Sequence, residues 1–152
     1  MLVMKFDPTN CVIGIIGLGY VGLPLAVAFS KKIEDKELEI ITERKVIGYD
    51  LNQNRVEELK NNVDKTGEVS SIELIASENL IITNEEDQLV EADILIVTVP
   101  TPINESKQPD LNPLKKACES VRRIFLKRIK DKSKDKPFVI FESTVYPGAT
   151  EE

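Results

Sequence analysis

Short apolar runs rich in β-branched residues alternate along this chain with segments of helical periodicity. The apolar runs occupy residues 11–16, 45–50, 80–83, 93–99 and 138–141. The first of them, CVIGII, is almost continuously apolar, which is typical of a strand in a sheet that is covered on both faces. Strands that alternate with helices predict a parallel sheet with crossover connections.

Helical patterns fill the segments between these runs. Helices are predicted over residues 20–32, 52–62, 84–91 and 111–130, with Asn84 as the N-cap of the third. In the last helix, seven residues recur at three- and four-residue steps and form one apolar stripe: Leu114, Ala117, Cys118, Val121, Ile124, Phe125 and Arg128. Residues 33–44 are expected to extend the first helix and then form a charged surface loop, and residues 64–78 to form a loop and a short helix.

These elements predict one domain over residues 1–152, of the α/β class. The expected architecture is a doubly wound, mainly parallel sheet, the Rossmann fold. A six-stranded version of this fold needs more chain than follows the fifth predicted strand. We therefore expect the sequence to stop before the last strand of the sheet.

Composition limits the classes of function. The chain has 41% hydrophobic and 30% charged residues, which is typical of a soluble globular protein. A net charge of −6, from 20 basic and 26 acidic residues, argues against nucleic acid as a partner. The apolar runs are too short to span a bilayer, and no signal-peptide pattern opens the sequence, so we expect no membrane association and a cytoplasmic location.

Few side chains are available for acid–base or nucleophilic chemistry. The chain has no histidine and only two cysteines, Cys11 and Cys118, which are far apart in the sequence. This pattern argues against a zinc site and against any nucleophile paired with histidine. Both cysteines fall in apolar patterns and are expected to be buried core residues.

A glycine motif, Gly17-Leu-Gly-Tyr-Val-Gly22, lies between the first predicted strand and the helix that follows it. Glycine allows the sharp turn at Gly17, the approach of a pyrophosphate at Gly19 and close helix packing at Gly22. The helix N-terminus attracts phosphate charge. The motif alone is weak evidence for dinucleotide binding, and the alternative is a structural turn without a ligand. The strand, the helix and an acidic residue at the end of the next strand favour dinucleotide binding.

That acidic residue is Asp50. A carboxylate at this strand end accepts hydrogen bonds from the adenosine ribose hydroxyls and repels a 2′-phosphate, which favours NAD over NADP. Arg55 argues in the other direction, because a nearby arginine serves NADP enzymes. We give Asp50 the greater weight because it occupies the strand terminus.

Two further strand ends are candidate cofactor contacts. Val99 ends the fourth predicted strand and Pro100 and Thr101 follow it, and this strand flanks the point where such sheets bind ligands. A rigid strand exit without a ligand role is the alternative. Ser143 and Thr144 follow the fifth strand and are expected on the nicotinamide side.

Together these segments resemble the UDP-glucose/GDP-mannose dehydrogenase family. The matching motifs are GLGYVGLPLA at 17–26, GYDLN at 48–52, VPTP at 99–102, PDLNPL at 109–114 and ESTVYPGATEE at 142–152. They cover nearly the whole chain in order. The last motif is most similar to members that act on UDP-N-acetylhexosamines in Vi-type polysaccharide and O-antigen pathways.

The resemblance implies two successive NAD-dependent oxidations that convert the C6 alcohol of a nucleotide sugar to a carboxylate. It implies that the cofactor-binding residues are Gly17, Gly19, Tyr20, Val21, Gly22, Asp50, Asn52, Arg55, Val99, Pro100, Thr101, Ser143 and Thr144. It places Arg55 near the adenosine, where a basic residue accompanies NAD use. The family's nucleophilic cysteine, lysine and main glutamate lie beyond the point that matches Glu152, so no catalytic residue is expected in this chain.

The resemblance also implies a UDP-sugar substrate and a homodimer or higher homo-oligomer for the full-length enzyme. A stand-alone nucleotide-binding or regulatory module without enzyme activity is the alternative function.

Overall fold

The computed structural model describes residues 7, 9–37, 39–102, 109–131 and 135–143. Its elements follow in this order: β1 (Ile13–Ile16), α1 (Gly22–Ser30), β2 (Ile33–Asp35), β3 (Ile40–Thr42), β4 (Val46–Tyr49), α2 (Gln53–Lys60), α3 (Ser71–Ile75), β5 (Leu80–Thr83), a 3₁₀ helix (Glu86–Glu91), β6 (Ile94–Val97), α4 (Asn112–Lys130) and β7 (Phe138–Phe141).

Five strands form one sheet in the order β5–β4–β1–β6–β7, and every neighbouring pair is parallel. Strand β1 lies in the centre, with Ile13 opposite Val46 on one side and Ile94 on the other. From β1 the sheet grows first on one side, through β4 and β5, and then on the other, through β6 and β7. A topological switch point therefore lies at the carboxyl end of β1. The predicted doubly wound α/β fold is confirmed.

Both faces of the sheet are covered. Ile13 and Ile15 point into a core with helices α1, α2 and α3, whereas Ile16 points into a second core with α4 and the 3₁₀ helix. Side chains alternate between faces along a strand, so four successive apolar residues in β1 supply both cores. Full burial of each of the three isoleucine side chains in β1 stabilises the fold by about 1.5–3 kcal/mol.

The expectation for residues 33–44 is wrong. Instead of a helix extension and a loop, the chain forms an antiparallel hairpin of β2 and β3, with Ile33 opposite Thr42. β-Branched residues at Ile33 and Ile40–Thr42 favour strands, and Glu39 takes a left-handed conformation (φ 54°) close to the turn. The hairpin residues are largely exposed, so this added segment lies outside the main core.

The predicted helix at residues 84–91 is also different. It is a 3₁₀ helix at Glu86–Glu91, and Asn84 does not cap it. The Thr83 hydroxyl accepts a hydrogen bond from the Glu85 amide at 3.0 Å instead. A segment of only six residues gains little from α-helical propagation, and tighter 3₁₀ turns are common in such short connections.

Helix α4 has nearly the predicted bounds, and most of its apolar stripe is buried. Cys118, however, is exposed, which corrects the expectation that both cysteines are buried. Ala117 and Ile124 lie on the buried face, and Cys118 is rotated away from it. Arg128 is buried, and its Nη1 donates to the Ala92 carbonyl at 2.5 Å.

The other predicted helices and strands differ from those in the structure mainly at their ends. Cys11 is buried as expected, although β1 begins two residues later, at Ile13. The short helix predicted in 64–78 is α3, whose N-cap Ser70 and Glu73 form a capping box. Within the described ranges, no helix is long and apolar enough to cross a membrane.

Candidate functional site

The glycine motif forms the turn between β1 and α1, at the carboxyl edge of the sheet. Gly17 has a φ of 99°, a conformation that L side chains rarely adopt, and its amide donates to the Tyr49 carbonyl at 2.8 Å. A Cβ on Gly19 would meet no atom within 4 Å. The turn is therefore held at its start and open to a ligand at its middle.

Gly22 has the opposite environment. A Cβ there would lie 1.8 Å from the Gly17 carbonyl oxygen and 2.4 Å from the Thr98 Oγ1 atom. The absent side chain is what allows α1 to begin directly against the end of β1. Tyr20 and Val21, which lie between Gly19 and Gly22, are exposed at the surface of the turn, with relative accessibilities of 69% and 51%.

Thr98, which directly follows β6, secures this turn from the neighbouring strand. Its buried hydroxyl lies 2.8 Å from the Gly17 carbonyl oxygen and 3.1 Å from that of Ile16, so its hydrogen is directed at these two acceptors. Sequence reasoning missed Thr98. The available signal is a single hydroxyl residue at the end of an otherwise apolar strand.

Asp50 lies at the end of β4, next to the turn. Its Oδ2 atom accepts a hydrogen bond from the Leu18 amide at 2.8 Å, and Oδ1 accepts one from the Asn52 amide at 2.9 Å. Each carboxylate oxygen has two lone-pair directions, so both retain capacity for a further donor. The carboxylate is thus oriented by the backbone and remains able to accept from a ribose diol.

Arg55 holds the other backbone polar group of Leu18, its carbonyl. Its Nε donates to the Leu18 carbonyl at 2.9 Å, and its guanidinium pairs with Glu58 and, at 2.8 Å, with Asp64. Only 11% of its side chain is exposed. Because the guanidinium already pairs with these two carboxylates and with the Leu18 carbonyl, the structure disfavours the interpretation that Arg55 binds a 2′-phosphate.

Asn52 is the N-cap of α2. Its Oδ1 atom accepts from the amides of Asn54 and Arg55 at 3.0 Å and 3.3 Å. This cap fixes the start of the helix that carries Arg55, and the side chain is used locally.

A cleft of about 490 Å³ opens between this turn and α4. It brings together Gly17, Asp50, Val99 and Pro100, which the sequence proposed as site residues. Sequence reasoning missed its far wall, which α4 and the residues just before it supply: Asp110, Asn112, Pro113, Lys116, Ala117 and Ser120. Tyr49 also lines the cleft, and burial raises the pKa of its phenol, with a smaller contribution from the Glu86 carboxylate.

The carboxyl ends of β6 and β7 and the residues that follow them are joined by hydrogen bonds. The Ser143 hydroxyl donates to the Val99 carbonyl at 2.7 Å, and the Glu142 amide donates to the Val97 carbonyl at 2.9 Å. Thr101 is half-buried in the loop that follows β6. Thr144 lies outside the described residues.

Substitutions at Gly22 and Gly19 should have contrasting effects on stability. We expect Gly22→Ala to lower the free energy of unfolding by more than about 3 kcal/mol, because backbone and a buried hydroxyl occupy the space of the new methyl group. Gly19→Ala should change it by less than about 1 kcal/mol. Urea unfolding followed by circular dichroism measures both. Equal losses in the two variants would contradict the assigned geometry.

The Asp64 carboxylate should make stability depend on acid pH. Burial by itself raises its pKa, but hydrogen bonds from Thr66, Val69 and Arg55 outweigh burial and lower the pKa to about 2. A pKa depressed below the ordinary value stabilises the fold above about pH 4, and this contribution is lost as the pH falls towards 2.

We therefore expect the stability difference between the native chain and Asp64→Asn to shrink by about 2 kcal/mol between pH 5 and pH 2. Urea titrations of both proteins across this range provide the measurement. A difference that stays constant with pH would show that Asp64 does not titrate in this way.

Comparison with known proteins identifies the family of this chain. Residues 11–152 match the profile described as the UDP-glucose/GDP-mannose dehydrogenase family, NAD binding domain. The UDP-N-acetyl-D-glucosamine 6-dehydrogenase of Pseudomonas aeruginosa is 47% identical over 140 residues, which cover 92% of this chain and 29% of that protein. The Salmonella typhi protein of the same name is 46% identical, with 92% and 28% covered.

Solved structures show the same fold. The UDP-glucose dehydrogenase of Pyrobaculum islandicum superposes with a TM-score of 0.71 at 28% identity, covering 99% of this chain and 32% of that one. The UDP-D-ManNAc dehydrogenase of Pyrococcus horikoshii gives 0.70 at 27% identity, with 92% and 30% covered. The chain spans less than a third of the length of these relatives. It belongs to the NAD-binding domain of the UDP-glucose/GDP-mannose dehydrogenase family.

Proposed function

We propose that this chain is the NAD-binding part of a nucleotide-sugar 6-dehydrogenase that oxidises the C6 alcohol of a UDP-sugar to the uronic acid. A UDP-N-acetylhexosamine is the proposed substrate, because relatives that are 46–47% identical are UDP-N-acetyl-D-glucosamine 6-dehydrogenases. We further propose a role in surface polysaccharide synthesis, a cytoplasmic location and a homo-oligomeric full-length enzyme. The relatives favour this function over a stand-alone nucleotide-binding module.

The observation that carries the proposal is that Gly17, at the start of the turn, and Asp50 line the same cleft. The open space at Gly19 suits the approach of a pyrophosphate to the backbone, and the start of α1 adds a favourable dipole. The Asp50 carboxylate, held by the Leu18 and Asn52 amides, is suited to the ribose diol. These features fit an adenine dinucleotide, and NAD supplies the hydride acceptor when it is bound.

The proposed contacts divide by position. Gly17, Gly19 and Gly22 would form the pyrophosphate turn, with Tyr20 and Val21 on its outer side, and Asp50 would hold the adenosine ribose. Val99, Pro100 and Thr101, with Ser143 and Thr144, would contact the cofactor towards the nicotinamide. We assign Asn52 and Arg55 supporting roles, because their side chains hold the α2 N-terminus and the Leu18 carbonyl.

Cofactor choice tests the role of Asp50. We expect the chain to bind NAD more tightly than NADP, because a second negative charge at the ribose would meet the Asp50 carboxylate. Asp50→Asn should weaken NAD binding by about 1–3 kcal/mol and narrow the gap between the two cofactors. Calorimetric titration with each cofactor measures these affinities.

Asp110→Asn is the matched control, since it removes the same charge from the same cleft at a residue away from the end of β4. This variant should retain the preference for NAD. If the native chain bound NADP as tightly as NAD, the assignment of Asp50 would be wrong.

We also expect this 152-residue chain to bind NAD without oxidising any UDP-sugar. Alcohol oxidation needs a base, and the second oxidation needs a nucleophile to hold the aldehyde. The chain has no histidine, and desolvation raises the pKa of both the Cys11 and Cys118 thiols, which disfavours the reactive thiolates.

NADH absorbance during incubation with NAD and a panel of UDP-sugars provides the assay. The Pseudomonas aeruginosa relative with UDP-N-acetyl-D-glucosamine serves as the positive control. Sustained turnover that survives Cys11→Ser and Cys118→Ser would show that the chain contains catalytic groups not identified above.

A further inference from the structure

We propose that Asp64 is a positioning residue for cofactor binding, acting through Arg55 on the Leu18–Gly19 peptide of the glycine turn. Asp64 belongs to none of the motifs that point to the cofactor and lies in the connection between α2 and α3. The proposal rests on the proposed function, and it assigns a role to a side chain that lies behind the turn.

Asp64 is held rigidly by its own loop. Its side chain has no exposed surface. One oxygen, Oδ1, accepts from the Thr66 amide at 3.0 Å and the Thr66 hydroxyl at 2.7 Å, while Oδ2 accepts from the Glu68 and Val69 amides at 2.9 Å and 3.0 Å. Four hydrogen bonds to neighbours in sequence define where the carboxylate points, independently of Arg55.

The same carboxylate also forms an ion pair with Arg55, which lies outside its loop. The Asp64 Oδ1 atom lies 2.8 Å from Arg55 Nη2, and Glu58 contacts Arg55 Nη1. Glu58 is itself held by the Lys65 amide at 2.7 Å. The planar guanidinium is thus fixed by two carboxylates, and its remaining edge, Nε, is directed at the Leu18 carbonyl 2.9 Å away.

Leu18 is therefore clamped on both of its backbone groups. Asp50 accepts from its amide, Arg55 donates to its carbonyl, and its side chain is fully buried in the core. The Leu18 carbonyl belongs to the peptide that leads into Gly19, so its direction sets the direction of the Gly19 N–H. Holding this peptide prepares the turn for a pyrophosphate before the ligand arrives, which reduces the ordering cost of binding.

This role differs from direct contact with adenosine and from simple stabilisation. If Asp64 acts through the turn, ligands that carry the pyrophosphate lose affinity, and adenosine, which lacks phosphate, does not. If Arg55 instead contacts the adenosine, disturbing its partner weakens adenosine and ADP-ribose alike. If Asp64 only stabilises the fold, neither ligand changes while the protein remains folded.

The test compares ADP-ribose, measured by calorimetry, with adenosine, measured by NMR titration, in native chain and Asp64→Asn. We expect ADP-ribose to bind about tenfold more weakly in the variant, with adenosine changed by less than about twofold. Glu73→Ala is the control. It removes the α3 capping box and should lower the midpoint of urea unfolding without changing ADP-ribose affinity.

A double-mutant cycle tests the path through Arg55. Arg55→Met should reproduce the selective loss, and adding Asp64→Asn to it should cause no further loss of ADP-ribose affinity. Should Asp64→Asn fail to fold, Arg55→Lys provides the same test, because lysine keeps the charge but lacks the fork that joins Asp64 to Leu18.

Equal losses for both ligands, unchanged ADP-ribose affinity in a folded Asp64→Asn or Arg55→Lys variant, or full additivity in the cycle would each overturn the positioning role. A native chain that binds neither NAD nor ADP-ribose would contradict the proposed function, and this inference with it. Binding by the native chain with unselective losses would contradict the inference alone.

Discussion

Helix α1 packs directly against the carboxyl end of β1 because Gly22 carries no side chain where the Gly17 carbonyl oxygen lies. A Cβ would be 1.8 Å from that oxygen, far inside any contact distance. With the helix this close, Leu23 and Ala26 reach the core formed with Ile13 and Ile15. The same contact places the N-terminus of α1 beside Gly17, which lines the cleft, so one steric constraint supports both the fold and the candidate site.

Polar groups from three different elements then fix the turn. Thr98 after β6 faces the Gly17 carbonyl, Asp50 after β4 accepts from the Leu18 amide, and Arg55 in α2 donates to the Leu18 carbonyl. A turn that carries a binding function is more effective when its backbone is held before the ligand binds. These contacts join residues far apart in sequence, so they exist only once the sheet and its helices have assembled.

The charge distribution around the turn explains how an acidic protein can belong to a family that binds an anionic dinucleotide. The chain carries a net charge of −6, and the Arg55 guanidinium is paired with Glu58 and Asp64. Under the proposed function, the paired Arg55 guanidinium is not available to the phosphates, so at the turn they are attracted by backbone N–H groups and the helix dipole, while Lys116 is the basic residue among those that line the cleft. If the turn binds the pyrophosphate as proposed, recognition depends on the directions of its backbone N–H groups, so the orientation of each peptide in the turn is important.

The sequence by itself determined the order of the elements that build the parallel sheet, the family and the position of Gly17–Gly22 and Asp50 at strand ends. These features follow from local patterns: apolar runs, glycine spacing and an acidic residue after a strand. The bounds of β5 and β7 could be predicted because each is a short apolar run, and nearly those of α4 because its helical periodicity is strong. The β2–β3 hairpin was missed because its isoleucines are interrupted by charges and because it packs outside the core, where burial does not reinforce the pattern.

Only the tertiary structure decided what Arg55 does, that Thr98 and Asp64 take part in holding the turn, and that α4 supplies the far wall of the cleft. Arg55 and Leu18 are 37 positions apart, and Thr98 and Gly17 are 81 apart. No periodicity in the sequence encodes such pairings, since each depends on where the sheet brings two backbone segments together. Cys118 illustrates the same limit, because a rotation of about 100° per residue along a helix separates its exposed thiol from the buried Ala117 beside it.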